Sequence, residues 1–169
     1  MGRPTIAIKW SSGHARGPRD VRNPRPTYKS RPMIRRATKD DIEAIETADR
    51  VCFPFDAPYI FGWEKNVSWV ALEKDDLQGY LAAHPLRHGV WFFSRVGVMP
   101  GARGQGLQRK LMAVMEKHAR REGWREIVTY CAGHNGHSTR NILAAGYRTY
   151  EPRKSYVGWE VVHMRKRLP

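Results

Sequence analysis

The chain reads as an α/β domain, a mixed sheet flanked by helices, on three observations. Short β-branched and aromatic runs alternate with segments of helical period along residues 33–169. A strand, a glycine turn and a long amphipathic helix follow one another without a break at residues 90–123. The first 32 residues share none of this patterning. With 169 residues and 41% apolar or aromatic side chains, the rest suits one domain with one sizeable core.

The elements follow in order. Residues 33–37 form a short strand candidate, and Thr38 with Asp41 resembles a capping box, with Asp in place of Glu. The helix it opens runs through Ile42, Ile45, Ala48 and Cys52. Phe53-Pro54-Phe55 and Ala57-Pro58-Tyr59 then break it into an aromatic loop, with a short helix near residues 60–65. Residues 67–73 and 77–86 read as strands joined by a hairpin turn at Lys74-Asp75-Asp76. His88-Gly89 turns the chain into a central strand carrying Val90, Phe92, Phe93, Val96 and Val98, which Pro100 and Gly101 end. Leu107, Leu111, Val114, Met115 and His118 mark the long helix, with Gly123 as its stop. Beyond it come a strand at 126–131, a turn at 134–136, a helix at 138–145 closed by Gly146, and strands at 147–150 and 157–168. Tyr59, Trp63 and Trp69 are candidates to line an acceptor groove, with core packing the better reading for Trp69.

Charge divides the chain unevenly. Residues 1–36 hold ten Lys/Arg and one acid, out of a net charge of +14 for the whole chain. With Pro4, Pro18, Pro24, Pro26 and Pro32, residues 1–32 are expected to be an extended basic arm, apart from a candidate strand at 5–10. Such an arm suits nucleic acid, an acidic protein surface or a neighbouring subunit, or stays solvated without a partner. A second asymmetry lies inside the domain. No acid occurs from Leu77 to Met115, where Arg87, Arg95, Arg103, Arg109 and Lys110 fall, as an anionic ligand would favour. No apolar run reaches membrane-spanning length, so no membrane partner and a cytoplasmic setting are expected. Cys52 and Cys131 lack neighbours at metal-ligand spacing, and His134 with His137 has no Cys or acid beside it, so no metal is expected.

Arg103-Gly104-Gln105-Gly106 lies in the middle of the acid-free window. Glycines that open a helix leave backbone N–H groups facing outward at its positive end, which binds phosphate. The turn is not a P-loop, because no Gly-Lys-Ser/Thr follows, and Arg109 stands where a dinucleotide fingerprint needs its third glycine.

Together, Val96-Gly97-Val98-x-Pro100 leading to Arg103-Gly104-x-Gly106 and Leu111 resemble the acetyl-CoA-binding core of the GNAT N-acetyltransferases. Asn135, Ser138 and Ala145-Gly146-Tyr147 resemble that family's second motif. Ile34 to Ile42 are similar to its first strand and helix, and His163-Met164-x-Lys166-x-Leu168 to its last strand. Cys52-Phe53-Pro54 is similar to the branch that acetylates protein N-termini. The resemblance spans about residues 33–168 and implies a central mixed, mostly antiparallel sheet.

It also implies acetyl-CoA as co-substrate, with its pyrophosphate on the backbone N–H groups of Gly104, Gln105, Gly106, Leu107 and Gln108. Arg103 and Arg109 would add charge, backbone amides near Val98 would polarise the thioester carbonyl, and Asn135 would bond the pantetheine arm or cap the next helix. Three positions depart from the pattern: Gln108 replaces Gly or Ala, Ile142 the usual tyrosine acid, and Tyr130 the glutamate base of the N-terminal branch. Substitutes in proton transfer are Tyr130, His134 and Ser94. The expected activity is acetyl transfer to an amine of an acidic macromolecule: a protein N-terminus or lysine first, an RNA-linked amine second. The alternative is a non-catalytic protein of the same fold that serves as a nucleic-acid or assembly adaptor through its basic surface.

Overall fold

A computed structural model of the chain describes residues 31–56, 59, 62–87, 89–153 and 160–169. The arm expected at 1–32, its strand at 5–10 and the loop at 57–58 and 60–61 lie almost wholly outside these residues. So does the start of the last predicted strand.

Among the described residues seven strands build one sheet: β1 (Met33–Arg36), β2 (Val67–Glu73), β3 (Asp76–Arg87), β4 (Val90–Val98), β5 (Glu126–Ala132), β6 (Arg148–Thr149) and β7 (Val161–Arg167). Their spatial order is β1-β2-β3-β4-β5-β7-β6. All neighbours are antiparallel except β4 and β5, so the sheet is mixed and mostly antiparallel. The helices are α1 (Ile42–Cys52), α2 (Leu107–Arg121) and α3 (Gly136–Ala144).

Local chemistry explains the boundaries. The Asp41 carboxylate accepts from the Thr38 N–H at 2.6 Å and its hydroxyl at 3.0 Å, opening a short 3-10 turn that leads into α1. Lys74 and Asp75 both take positive φ, so the β2–β3 hairpin is a two-residue loop whose twist suits the flanking strands. Asp76 therefore pairs with Glu73 inside the ladder and is not part of the turn. Asn135 caps α3 with its side-chain oxygen on the Ser138 N–H at 3.1 Å, which starts that helix two residues before the expected position. The predicted strand at 147–150 shrinks to two residues because Tyr147 turns into the core, 2% exposed.

Each face of the sheet carries its own core. On one, Leu107, Leu111, Met112 and Met115 of α2 and Ile142 of α3 pack against Trp69, Leu81, Phe93, Ile127 and Met164. On the other, Ile45 and Ala48 of α1 pack with Trp63, Val70, Tyr80 and Ala82. Trp69 is core, as its sequence position suggested; Trp63 is too, 7% exposed and edge-on to Tyr80.

Candidate active site

The site follows from a parting of β4 and β5. Their parallel pairing covers only Val90, Phe92 and the residue between, opposite Glu126 to Val128. Beyond Phe92 the β5-facing edge of β4 has no strand partner among the described residues, and the Thr129 hydroxyl donates to the Phe93 carbonyl at 2.8 Å where the strands separate. A β-bulge at Ser94 bends β4 at that point: Ala82 faces Arg95 and Ala83 faces Phe93, which leaves Ser94 as the extra residue. The parting leaves room between two central strands and frees backbone groups on β4.

β4 ends beside this opening and leads through a 3-10 turn at Pro100–Ala102 into Arg103-Gly104-Gln105-Gly106 and α2. Gly104 and Gly106 have φ of +77° and +69°, a region that side chains with a Cβ rarely enter. A Cβ added at Gly104 would meet nothing within 4 Å, so the surface in front of the turn is open. The first N–H groups of α2 have no acceptor one turn back, as at any helix start. Its first turn holds Arg109 and Lys110 and no acid, although the helix dipole disfavours cations there. Open space, unpaired donors and positive charge together fit a pyrophosphate.

The predicted cofactor residues divide by role. The Leu107 side chain is buried in the core, so only its backbone can face a ligand. The Arg103 Nε donates to the Val98 carbonyl at 3.2 Å and folds back over the end of β4. Gln108 gives its Nε2 to the Ser138 hydroxyl at 3.0 Å and accepts from Asn141 Nδ2 at 2.8 Å, which fastens the first turn of α2 to α3. That bulk is directed at α3.

The predicted catalytic residues separate as well. Tyr130 lies on β5 where the strands part, its ring 5.5 Å from Phe92 and 6.1 Å from His163, and burial raises its hydroxyl pKa. Ser94 occupies the bulge, where its hydroxyl donates to the Ala82 carbonyl at 3.1 Å and bonds the Tyr59 hydroxyl at 2.5 Å. Burial first, against the Ser94 and Asn66 hydrogen bonds, pushes the Tyr59 hydroxyl up to about 12. His134 is exposed on the turn between β5 and α3. Ile142, at the position of the family's tyrosine, is 1% exposed inside the α2–α3 core.

Sequence reading missed a buried ionic cluster beside the bulge. Asp49 on α1 accepts from Arg95 Nε at 2.8 Å and from the Tyr80 hydroxyl, and Arg95 also reaches Asp56 at 2.8 Å over the Phe53 ring. Arg95 is therefore spent inside the protein and is not a cation of the ligand site. Sequence reading also missed His84 and His163, which continue the ring row from Phe92 and Tyr130 and whose pKa values burial lowers. Their place on that face becomes visible once the strand registers are known. Among the described residues no three His, Cys, Asp or Glu side chains converge on a metal site.

A parted parallel pair beside a glycine turn that opens a helix defines a class of acyl-CoA-dependent transferases. Residues 37–147 match the acetyltransferase (GNAT) family model, and the chain belongs to that family. Among solved structures it is similar to a putative acetyltransferase of Salmonella typhimurium with its cofactor acetyl-CoA, at 21% identity and TM-score 0.69, over 82% of this chain and 95% of that one. It is likewise similar to an N-acetyltransferase of Staphylococcus aureus, at 17% identity and TM-score 0.68, over 82% and 99%. The ribosomal-protein-S18-alanine N-acetyltransferase of Escherichia coli aligns at 12% identity and TM-score 0.67, over 79% and 92%. Among curated proteins none matches the chain in sequence. The chain is thus a GNAT-family acetyltransferase.

Proposed function

We propose that this acetyltransferase moves acetyl directly to the amine of a macromolecule within a ternary complex, a protein N-terminus or lysine first and an RNA-linked amine second. The observation that carries the reading is the parting of β4 and β5 next to an open glycine turn, which gives donor and acceptor one shared cleft. Acetyl-CoA, when bound, supplies a thioester with a good thiolate leaving group. The backbone of Gly104, Gln105, Gly106, Leu107 and Gln108 holds its pyrophosphate, with Arg109 adding charge. Arg103 and Asn135 act as supports, the first on the end of β4 and the second as the cap of α3.

Tyr130 holds the useful proton. With its pKa raised by burial it stays protonated at neutral pH, so it suits an acid that protonates the leaving sulfur and not the base its position would suggest. Ser94 already donates to Ala82, and among the described residues its other hydrogen-bond partner is the Tyr59 hydroxyl and not a base, which supports direct attack over an acyl-serine route. Its part is to shape the bulge. His134, exposed at the rim, suits contact with the acceptor.

The net charge of +14 supports an acidic macromolecular partner, with residues 1–32 as a docking arm. The description of the Escherichia coli neighbour as a ribosomal-protein-alanine acetyltransferase supports a protein N-terminus. Among the described residues no helix is long and apolar enough to cross a membrane, and a cytoplasmic setting completes the proposal.

The test is transfer of labelled acetyl from acetyl-CoA to peptides with a free or a blocked α-amine, to lysine peptides and to aminoacyl-tRNA. The expected product is the α-acetylated peptide. Tyr130→Phe should lower kcat by about 10²-fold with the KM for acetyl-CoA unchanged. Tight acetyl-CoA binding without transfer to any of these amines would overturn the reading in favour of the adaptor.

A further inference from the structure

The outer face of α2 carries a charge pattern of which the acetyl-CoA site takes only Arg109, in the first turn. The exposed positions of this helix are Arg109, Lys110, Ala113, Lys117, Arg120 and Arg121. Five of the six are cationic and none is acidic. At 100° per residue they fall within one arc of about 120°, and they extend about 18 Å along the axis at 1.5 Å per residue. Glu116, the one acid inside the helix, turns inward to Lys166 at 2.6 Å, with Arg120 at 3.6 Å. Glu122 touches Arg121 at 3.2 Å only past the helix end. Lys117 therefore faces Arg120 and Arg121, three and four residues on, as like charges, an arrangement that disfavours an isolated helix.

We propose that this face is a docking surface for the sugar–phosphate backbone of a single nucleic-acid strand. Counterion release makes a row of cations sufficient for such binding, without a pocket or base contacts. The stripe offers no Asn, Gln, Ser or Thr to read a base edge, so the surface is indifferent to sequence. A protein partner would need an apolar anchor at the centre of the patch. The only apolar side chain there is Ala113, and the large exposed hydrophobic residues among those described, Met33, Val51, Phe55, Leu86 and Leu143, all lie on other elements. Apart from Arg109 the surface does not depend on acetyl transfer, and it lies in the folded domain, separate from the basic arm.

The test uses the full chain and fluorescent oligouridylate and oligothymidylate across a salt series. Wild type should bind both. A triple variant, Lys117→Gln with Arg120→Gln and Arg121→Gln, should lose at least about tenfold in affinity at low salt. Its log–log salt slope should flatten by about 2, from about 0.7 per phosphate contact on a single strand. The charge-matched variant Lys39→Gln with Lys65→Gln and Lys74→Gln, on exposed positions away from α2, should leave both quantities unchanged. Melting temperature and acetyl-CoA affinity confirm that each variant is folded. No binding by wild type would overturn the proposal, as would equal losses in the two triple variants. Binding of polyglutamate as tight as that of the oligonucleotides would overturn it in favour of an acidic protein.

Discussion

Replacing Gly104 with Ala tests the phosphate turn with an internal control. Gly104 has a φ of +77° and open space where a Cβ would go; Gly123, at the far end of α2, has a φ of +72° and equally open space. The two substitutions therefore carry the same backbone strain, about 1–2 kcal/mol for an L side chain in the left-handed region. Part of it is offset by a stiffer unfolded chain, which leaves about 1 kcal/mol. For a chain of this size that is a fall of about 2–4 °C in Tm for each variant. Binding separates them. If the pyrophosphate lies against Gly104, the new methyl group occupies its place, and the cost resembles overpacking, about 1–3 kcal/mol. That corresponds to an increase of about 5- to 150-fold in the Kd for acetyl-CoA. Gly123→Ala should leave the Kd unchanged. Calorimetric titration of both variants and wild type gives the comparison directly. Equal Kd values for Gly104→Ala and wild type would refute the placement of the pyrophosphate, since the stability loss would show that the substitution had its expected local effect.

Four other outcomes follow. Gly97→Ala drives a Cβ into the Tyr80 ring, so thermal melts should show a loss of about 1–3 kcal/mol, with Tyr80 displaced from Asp49. Lys166→Met leaves the buried Glu116 carboxylate with only Arg120, 3.6 Å away, and urea unfolding should show a loss near the low end of the 3–5 kcal/mol range for breaking a buried pair, about 3 kcal/mol. Arg35 beside Asp41 holds that carboxyl at about 2, below its ordinary value, so this contribution is complete above about pH 4 and is lost as pH falls toward 2. With Arg35 38% exposed the pair contributes about 1 kcal/mol, and Asp41→Asn should remove that amount at pH 7 and flatten acid unfolding in the same window. If Tyr130 is the acid, the alkaline limb of kcat should lie above the ordinary phenol range and vanish in Tyr130→Phe, because burial keeps the active, protonated form to higher pH.

What the sequence made legible is what local periodicity encodes. Leu107, Leu111 and Met115 repeat along one helix face, and those residues line the α2 side of the core. The Gly104 and Gly106 dihedrals follow from a turn in the positive-φ region that glycine fills without strain and side chains with a Cβ rarely enter. The misses come from pairings distant in the chain. Asp49, Tyr80 and Arg95 are 31 and 46 residues apart along the chain in their hydrogen bonds, and nothing local to Arg95 shows that its charge is already compensated. The acid-free window around it therefore overstated the cations available to a ligand. Gly97 reads as a weak spot in a strand until β3 pairs it with Tyr80, whose ring lies where a side chain would be.

The bulge that opens the cleft did leave a trace in the sequence. Trp91 and Phe93 face the α2 side of the sheet, and so do Val96 and Val98, three and five residues after Phe93. Strict alternation from Phe93 would instead have pointed Arg95 and Gly97 into the α2 core, burying a guanidinium among leucine and methionine. One extra residue, Ser94, restores the parity, sends Arg95 to Asp49 on the α1 side, and turns β4 away from β5. The break in hydrophobic alternation and the opening of the cleft are thus one event. Deleting Ser94 makes Arg95 follow Phe93 directly, so alternation alone keeps Arg95 on the α1 side with Asp49 while the bulge is lost and the parting closes; acetyl-CoA binding should fall in that variant while the fold is kept.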